Sequence, residues 1–296
     1  MQDKKYPAKL LLFGEYTVIL GSRALAMPFP RFFGRWKAMD NDIDKRLLDL
    51  LEYIKQKQVL SNEFNINELE LSINKGYRFD ANIPLGYGLG SSGALCAAIY
   101  DLFAVEKKED LEYLKGILAD LESHFHGSSS GVDPLICYLQ KTVLLKDQGI
   151  EILDQFQLPS NEENQLFLLD IGFARKSGNL INWFMEQCKQ EHYRRQIESL
   201  LLPAVENCIV ALLQNNTTNL LDFVHDISHF QSRYFQPMIP ASLHTLWLDG
   251  LSSDWFKLKL CGAGGGGFFM GVTSDLERLQ RTSNFDILPI NTTFNH

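Results

Sequence analysis

Alternating glycines, Gly86-Tyr87-Gly88-Leu89-Gly90, lead into Ser91-Ser92-Gly93 and then an apolar stretch of helical composition. Glycines let a backbone approach a ligand without Cβ clashes, and a helix start offers unpaired N–H groups with partial positive charge. Together they make a cradle for phosphate oxygens. Ser91 and Ser92 add hydroxyls, one of which suits a hard cation such as magnesium. An ordinary helix N-cap needs one serine and at most one glycine, so this run exceeds that need.

Two further turns carry chemistry-bearing residues. Glu122-Ser-His-Phe-His126-Gly127-Ser-Ser129-Ser-Gly131-Val-Asp133 brings two carboxylates to either end of a hydroxyl-rich loop. Phosphoryl transfer needs one carboxylate to hold a metal and another group to orient the attacking hydroxyl or take its proton, and two acids of different placement divide those roles. The last turn, Cys261-Gly262-Ala263-Gly264-Gly265-Gly266-Gly267, has five glycines in six positions. Their unfolded-state entropy makes that costly for a plain hairpin, so the loop is expected to close against a ligand or another backbone.

Rival motifs fail on context. Gly88 to Gly93 fits G-x-G-x-x-G, but the acids about 20 residues on (Glu106, Glu109, Asp110) open a charged helix, with no intervening parallel strand, so a dinucleotide fold is not expected. Neither a Walker A sequence nor the protein-kinase HRD and DFG signatures are present. His225 and His229 have metal-ligand spacing on an expected helix, but no third ligand joins them in a recognisable pattern.

The elements that must position these residues alternate irregularly. Residues 8–20 read as extended structure around a Gly14-Glu15 turn, and 23–36 as strand-like, broken by Pro28 and Pro30. Ile43, Leu47, Leu50, Leu51 and Ile54 predict an amphipathic helix over 42–57, and 69–79 reads as a strand. Helices are expected after Gly93, over 109–124 and repeatedly within 178–230. Strands are expected at 165–173 and on both sides of the last glycine turn. Without regular βαβ alternation, the fold class is α+β with two domains, 1–158 and 159–296, divided in the polar stretch 154–165.

Composition narrows the classes further. The 296 residues are 45% hydrophobic with a net charge of −8, and no Lys/Arg stripe suggests nucleic acid. Five scattered cysteines without a CxxC pair predict buried thiols rather than disulfides or a zinc knuckle. No apolar run approaches about 18 residues, and Glu15 interrupts the N-terminal apolar stretch, so neither a membrane span nor a secretion signal is expected. A cytoplasmic protein without a membrane partner is the expectation.

Taken together, the segments resemble the signature motifs of the GHMP kinases, in the same order and nearest to the mevalonate kinase branch. Pro7-Ala8-Lys9 through Gly14-Glu15-Tyr16-Thr-Val18-Ile-Leu-Gly21 is similar to P-x-K-x-x-L-x-G-E-H-x-V-x-x-G. PLGYGLGSSGAL, HGSSSGVD and KLCGAGGGG resemble P-x-G-x-G-L-G-S-S-A, H-G-x-P-S-G-x-D and K-x-T-G-A-G-G-G-G. The resemblance implies a ribosomal protein S5 domain 2-like N-terminal domain that handles ATP and magnesium, and a ferredoxin-like C-terminal domain. It implies ATP-dependent phosphorylation of a small alcohol, with mevalonate converted to 5-phosphomevalonate as the leading reaction.

By the same resemblance, Asp133 is the catalytic base and Lys9 stabilises the transferring group. Ser92 and Glu122 hold Mg2+. Gly86, Gly88, Leu89, Gly90, Ser91 and Ser92 wrap the ATP phosphates, with Gly264 and Gly265 in support. Glu15, Tyr16, Gly262, Ala263 and Arg175 fall on the substrate side, and a homodimer is compatible with the family. Three departures stand out. Tyr16 replaces the usual His. Ser129 replaces the usual Pro, which should leave the loop before Asp133 less rigid. Arg175-Lys176-Ser177 matches the family strand only loosely. His126 is expected to orient its turn.

Overall fold

The computed structural model describes residues 4–39, 44–147, 149–159, 164–174 and 180–290. Arg175 lies outside them. Nine strands are formed among the described residues: β1 Lys5–Phe13, β2 Ala24–Ala38, β3 Tyr77–Ala81, β4 Thr142–Lys146, β5 Gly149–Leu153, β6 Gln165–Asp170, β7 Phe256–Leu260, β8 Phe268–Thr273 and β9 Asp286–Pro289. Two sheets result. In one, β1, β2, β4 and β5 lie side by side in that order, and β3 pairs antiparallel with the far part of β2, from Gly34 opposite Ala81 to Ala38 opposite Tyr77. The other has the order β7-β8-β6-β9 with antiparallel neighbours throughout. Helices separate its first strand from its second and its third from its fourth, the βαββαβ pattern of a ferredoxin-like sheet. The fold is α+β.

The chain divides into two compact units. One comprises residues 1–10, 27–84 and 89–143, the other 11–26, 85–88 and 144–296. This partition is discontinuous, because β1, β2 and β4 each run from one unit into the other.

In the first unit, helix Lys45–Gln56 starts where the Asp44 carboxylate accepts the Arg46 N–H at 3.0 Å, and it buries Leu47, Leu50, Leu51 and Ile54. Each such aliphatic side chain stabilises the unit by roughly 1.5–3 kcal/mol. The expected strand over 69–79 forms only in its second half. Residues Ile66–Asn74 are helical: Asn65 caps the Glu68 N–H, Leu69, Ser72 and Ile73 are buried at i, i+3, i+4, and Leu71 is exposed. The alternation of Leu69, Leu71 and Ile73 imitated a strand, and the cap decided otherwise.

Two other expectations are corrected. Thr17–Leu20 forms a 3-10 turn rather than a strand, after Gly14 and Tyr16 adopt positive φ. Pro28 and Pro30 do not break β2. They stand two residues apart, so both missing donors fall on one side of the strand.

In the second unit, the helical run Glu191–Leu213 has the length and composition to cross a membrane, which the search for apolar runs did not anticipate. Its Ile197, Leu201, Val205, Cys208, Ile209 and Leu212 are buried, as in a core helix. A π-helical turn at Ile197–Leu201 sits just before Pro203, which has no N–H to give.

Candidate active site

The first unit gathers Lys9, Gly90, Ser92, Glu122 and Asp133. Lys9 lies on β1, where its backbone N–H donates to the Leu89 carbonyl at 2.9 Å. That bond ties the glycine-rich loop to the strand, so the buried Leu89 carbonyl has a protein partner. Gly86, Gly88 and Gly90 have φ of 78°, 75° and 71°, a left-handed conformation that favours glycine at each turn of the loop. Gly90 then caps helix Ser91–Phe103 without a side chain, leaving the first N–H groups of the helix to an outside acceptor.

Crowding fixes the glycines. A Cβ on Gly90 would lie 2.9 Å from Lys9 Cγ, and one on Gly93 would lie 2.9 Å from the Pro134 nitrogen. Helix Ser91–Phe103 therefore packs backbone to backbone against the start of helix Val132–Leu139. Asp133 stands in the first turn of that second helix, after Gly131 in the left-handed conformation. Proline at its third position is tolerated because the N–H it lacks has no intrahelical partner. Lys9 Nζ is 3.1 Å from Asp133 Oδ1, with the lysine buried and the carboxylate about one-third exposed.

Glu122 is not a solvated helix end. Helix Leu111–His126, capped by Asp110 through the Glu112 and Tyr113 N–H groups, continues one turn past it, and the residue is 5% exposed. Ser92 Oγ donates to Glu122 Oε1 at 2.9 Å, and Ser129 Oγ donates to Oε2 at 2.5 Å. Burial raises the Glu122 pKa above its ordinary value, the Asp133 charge adds to this, and the two serine hydrogen bonds oppose it. His126 Nε2 is 3.0 Å from Ser92 Oγ, so the ring reaches the candidate metal-binding hydroxyl besides standing at its turn.

Ser129 also departs from expectation. Its oxygen accepts the Gly131 N–H at 3.0 Å while its hydroxyl holds Glu122. Two hydrogen bonds, rather than a proline ring, fix the loop. Sequence reasoning saw the lost ring and missed the gained hydroxyl.

Glu15, Tyr16, Gly262 and Ala263 gather in the second unit. Glu15 is buried and paired with Lys259 at 2.5 Å, with side-chain exposures of 2% and 1%. Lys259 leads the KLCGAGGGG motif, but its pairing with Glu15 was not expected from the sequence. Its signal was a lysine at an alternate position of FKLKL, every residue of which is buried. Its neighbour in phase, Lys257, caps the C-terminus of helix His244–Ser252 by donating to the Gly250 carbonyl at 2.9 Å.

Tyr16 is buried, with its hydroxyl donating to the Ala263 carbonyl at 2.6 Å and its ring against Phe184 and Phe235. The expectation that the last glycine loop closes on another backbone holds. A Cβ on Gly264 would lie 2.7 Å from the Met238 carbonyl oxygen, and one on Gly267 would lie 2.6 Å from Tyr87 Cα. The Gly265 N–H donates to that Met238 carbonyl at 2.7 Å, so it already has an acceptor.

His225 and His229 stack with ring centroids 6.3 Å apart. Among the described residues, no group of three or more His, Cys, Asp and Glu could enclose a metal. All five cysteines are free, and four of them are buried.

Residues 51–141, which include Ser92, Glu122 and Asp133, match the family model of the GHMP kinases N terminal domain. Mevalonate kinase of Pyrococcus abyssi is 29% identical over 201 residues, 58% of this chain and 57% of that protein. Mevalonate kinase of Archaeoglobus fulgidus is 22% identical over 277 residues, 90% of each. The match thus spans little more than half the length of the P. abyssi relative. Among solved structures, Streptococcus pneumoniae phosphomevalonate kinase superposes with a TM-score of 0.67 at 16% identity, covering 97% of this chain and 98% of that one. For L. major mevalonate kinase with R-mevalonate the values are 0.64 and 13%, covering 99% and 97%. The chain therefore carries the N-terminal domain of the GHMP kinases within residues 51–141 and has the fold of that family.

Proposed function

We propose that this protein is an ATP-dependent kinase that phosphorylates the hydroxyl of a small alcohol, with mevalonate as its substrate. The observation that carries the reading is the Lys9–Asp133 pair at 3.1 Å, set beside a helix N-terminus that follows three left-handed glycines. The curated relatives named mevalonate kinase supply the choice of alcohol.

In this reading Asp133 accepts the proton of the attacking hydroxyl. Lys9, held against it, places positive charge where the phosphoryl oxygens gather it. The start of helix Ser91–Phe103 and the loop before it receive the nucleotide phosphates through backbone N–H groups.

Ser92 and Glu122 fit a magnesium ion. Both are hard oxygen donors, they already touch, and the buried carboxylate whose pKa is raised gains from a cation beside it. With so few protein ligands the ion would be shared with phosphate oxygens and water, and it would neutralise charge developing on the phosphates. Residues 1–158 then form the nucleotide- and magnesium-handling part and 159–296 the second domain. The enzyme works in the cytoplasm without nucleic acid or membrane, with a homodimer as its expected assembly.

The test is ATP- and magnesium-dependent ADP release against mevalonate, phosphomevalonate, galactose, homoserine and no acceptor. Release that saturates only with mevalonate supports the full reading. Saturation with another alcohol replaces the substrate, and nucleotide binding without release for any of them contradicts the kinase activity.

A further inference from the structure

We propose that Ser129 is a positioning residue that presets Glu122 for a divalent cation; this rests on the kinase reading above. Glu122 is a buried carboxylate with each oxygen held by a different serine hydroxyl: Ser92 on Oε1 at 2.9 Å and Ser129 on Oε2 at 2.5 Å. The two serines come from different elements, one from the first turn of helix Ser91–Phe103 and the other from the loop before Gly131. Ser92 Oγ has a second neighbour, His126 Nε2 at 3.0 Å. When Ser92 turns a lone pair to a cation, its proton keeps an acceptor in His126 or Glu122.

Ser129 is anchored differently. Its oxygen already accepts the Gly131 N–H at 3.0 Å, and its hydrogen goes to Glu122. With its hydrogen and one lone pair used inside the protein, it orients the carboxylate through Oε2 and leaves the Oε1 edge, next to Ser92, for the ion. A carboxylate held on one oxygen alone would rotate about its last torsion, which is broad and roughly two-fold. Partners of this kind around metal ligands are typically worth about 10–100-fold in metal affinity. The same hydroxyl links Glu122 to Gly131, two residues before Asp133. The loop thus couples the metal carboxylate to the catalytic carboxylate through one side chain.

The probe is Mn2+, titrated into the full chain with saturating ADP and followed by the loss of the free-Mn2+ electron paramagnetic resonance signal. Thermal melts check the folding of each variant. Ser129→Ala is expected to weaken Mn2+ binding by about tenfold or more. Ser129→Thr, which keeps the hydroxyl, should stay within about threefold of wild type, and Ser128→Ala, at an exposed neighbour, should match it. Wild-type Mn2+ affinity in a folded Ser129→Ala protein overturns the proposal, as does equal weakening in Ser129→Thr and Ser129→Ala. Failure of the wild-type protein itself to bind Mn2+ with ADP overturns the kinase reading, and the clamp with it.

Discussion

Lys9 Nζ approaches Asp133 Oδ1 to 3.1 Å, with the cation the more buried partner and the carboxylate facing outward. This asymmetry is what transfer to a bound hydroxyl needs. Under the proposed function the carboxylate would reach substrate, while the lysine would supply charge from a buried site. Replacing the lysine by an uncharged chain of similar length separates charge from packing. Lys9→Met is expected to lower kcat by at least about 100-fold, the scale of losing one preorganised electrostatic contact. Its melting temperature should stay close to wild type, because the partner left behind is partly solvated. Steady-state kinetics and a thermal melt check both.

The loop between Glu122 and Asp133 offers a test of backbone geometry. Gly127 and Gly131 have nearly the same φ, 75° and 73°, but a Cβ on Gly127 meets open space, whereas one on Gly131 would lie 2.2 Å from the Lys115 carbonyl oxygen. Gly127→Ala should cost about 1–2 kcal/mol of stability, from its positive φ alone. Gly131→Ala should cost roughly 1–3 kcal/mol more, for the displaced backbone. Urea denaturation measures the difference, and equal losses would contradict the packing described.

In the second unit, Lys259→Met should destabilise by about 3–5 kcal/mol, because it removes the Lys259 cation from beside the buried Glu15 carboxylate. Adding Glu15→Gln should restore much of that stability, since the buried negative charge is then gone. Additive losses in the double-mutant cycle would show that the pair is not coupled.

Much of this was legible in the sequence wherever one type of residue had one physical use. Left-handed turns at 86, 88 and 90 call for glycine, and glycine announces them. Antiparallel β7 and β8 frame their glycine loop, as expected of strands on both sides of it. The sequence was misleading where one pattern served two structures. Leu69, Leu71 and Ile73 fit a strand by alternation, yet Asn65 nucleated a helix that left Leu71 exposed.

Partnerships between distant side chains were hardest to read. Nothing in KLCGAGGGG links its lysine to Glu15, although the two pair in the structure. Ser129 looked like a lost proline until Glu122 was seen to accept its hydrogen. Tyr16 likewise directs its hydroxyl to Ala263, a contact that no spacing rule links to it.

The most direct measurement of the central claim is mevalonate-dependent ADP release by Asp133→Asn beside the wild type, at saturating ATP and magnesium. Removing the general base while keeping its shape should lower kcat by about a thousandfold. ADP affinity and the melting temperature should be nearly unchanged, since the amide oxygen of the asparagine can still accept a hydrogen bond from Lys9. Wild-type-like turnover in a folded Asp133→Asn protein would contradict the assignment of Asp133 as the base and, with it, the mechanism built on the Lys9–Asp133 pair.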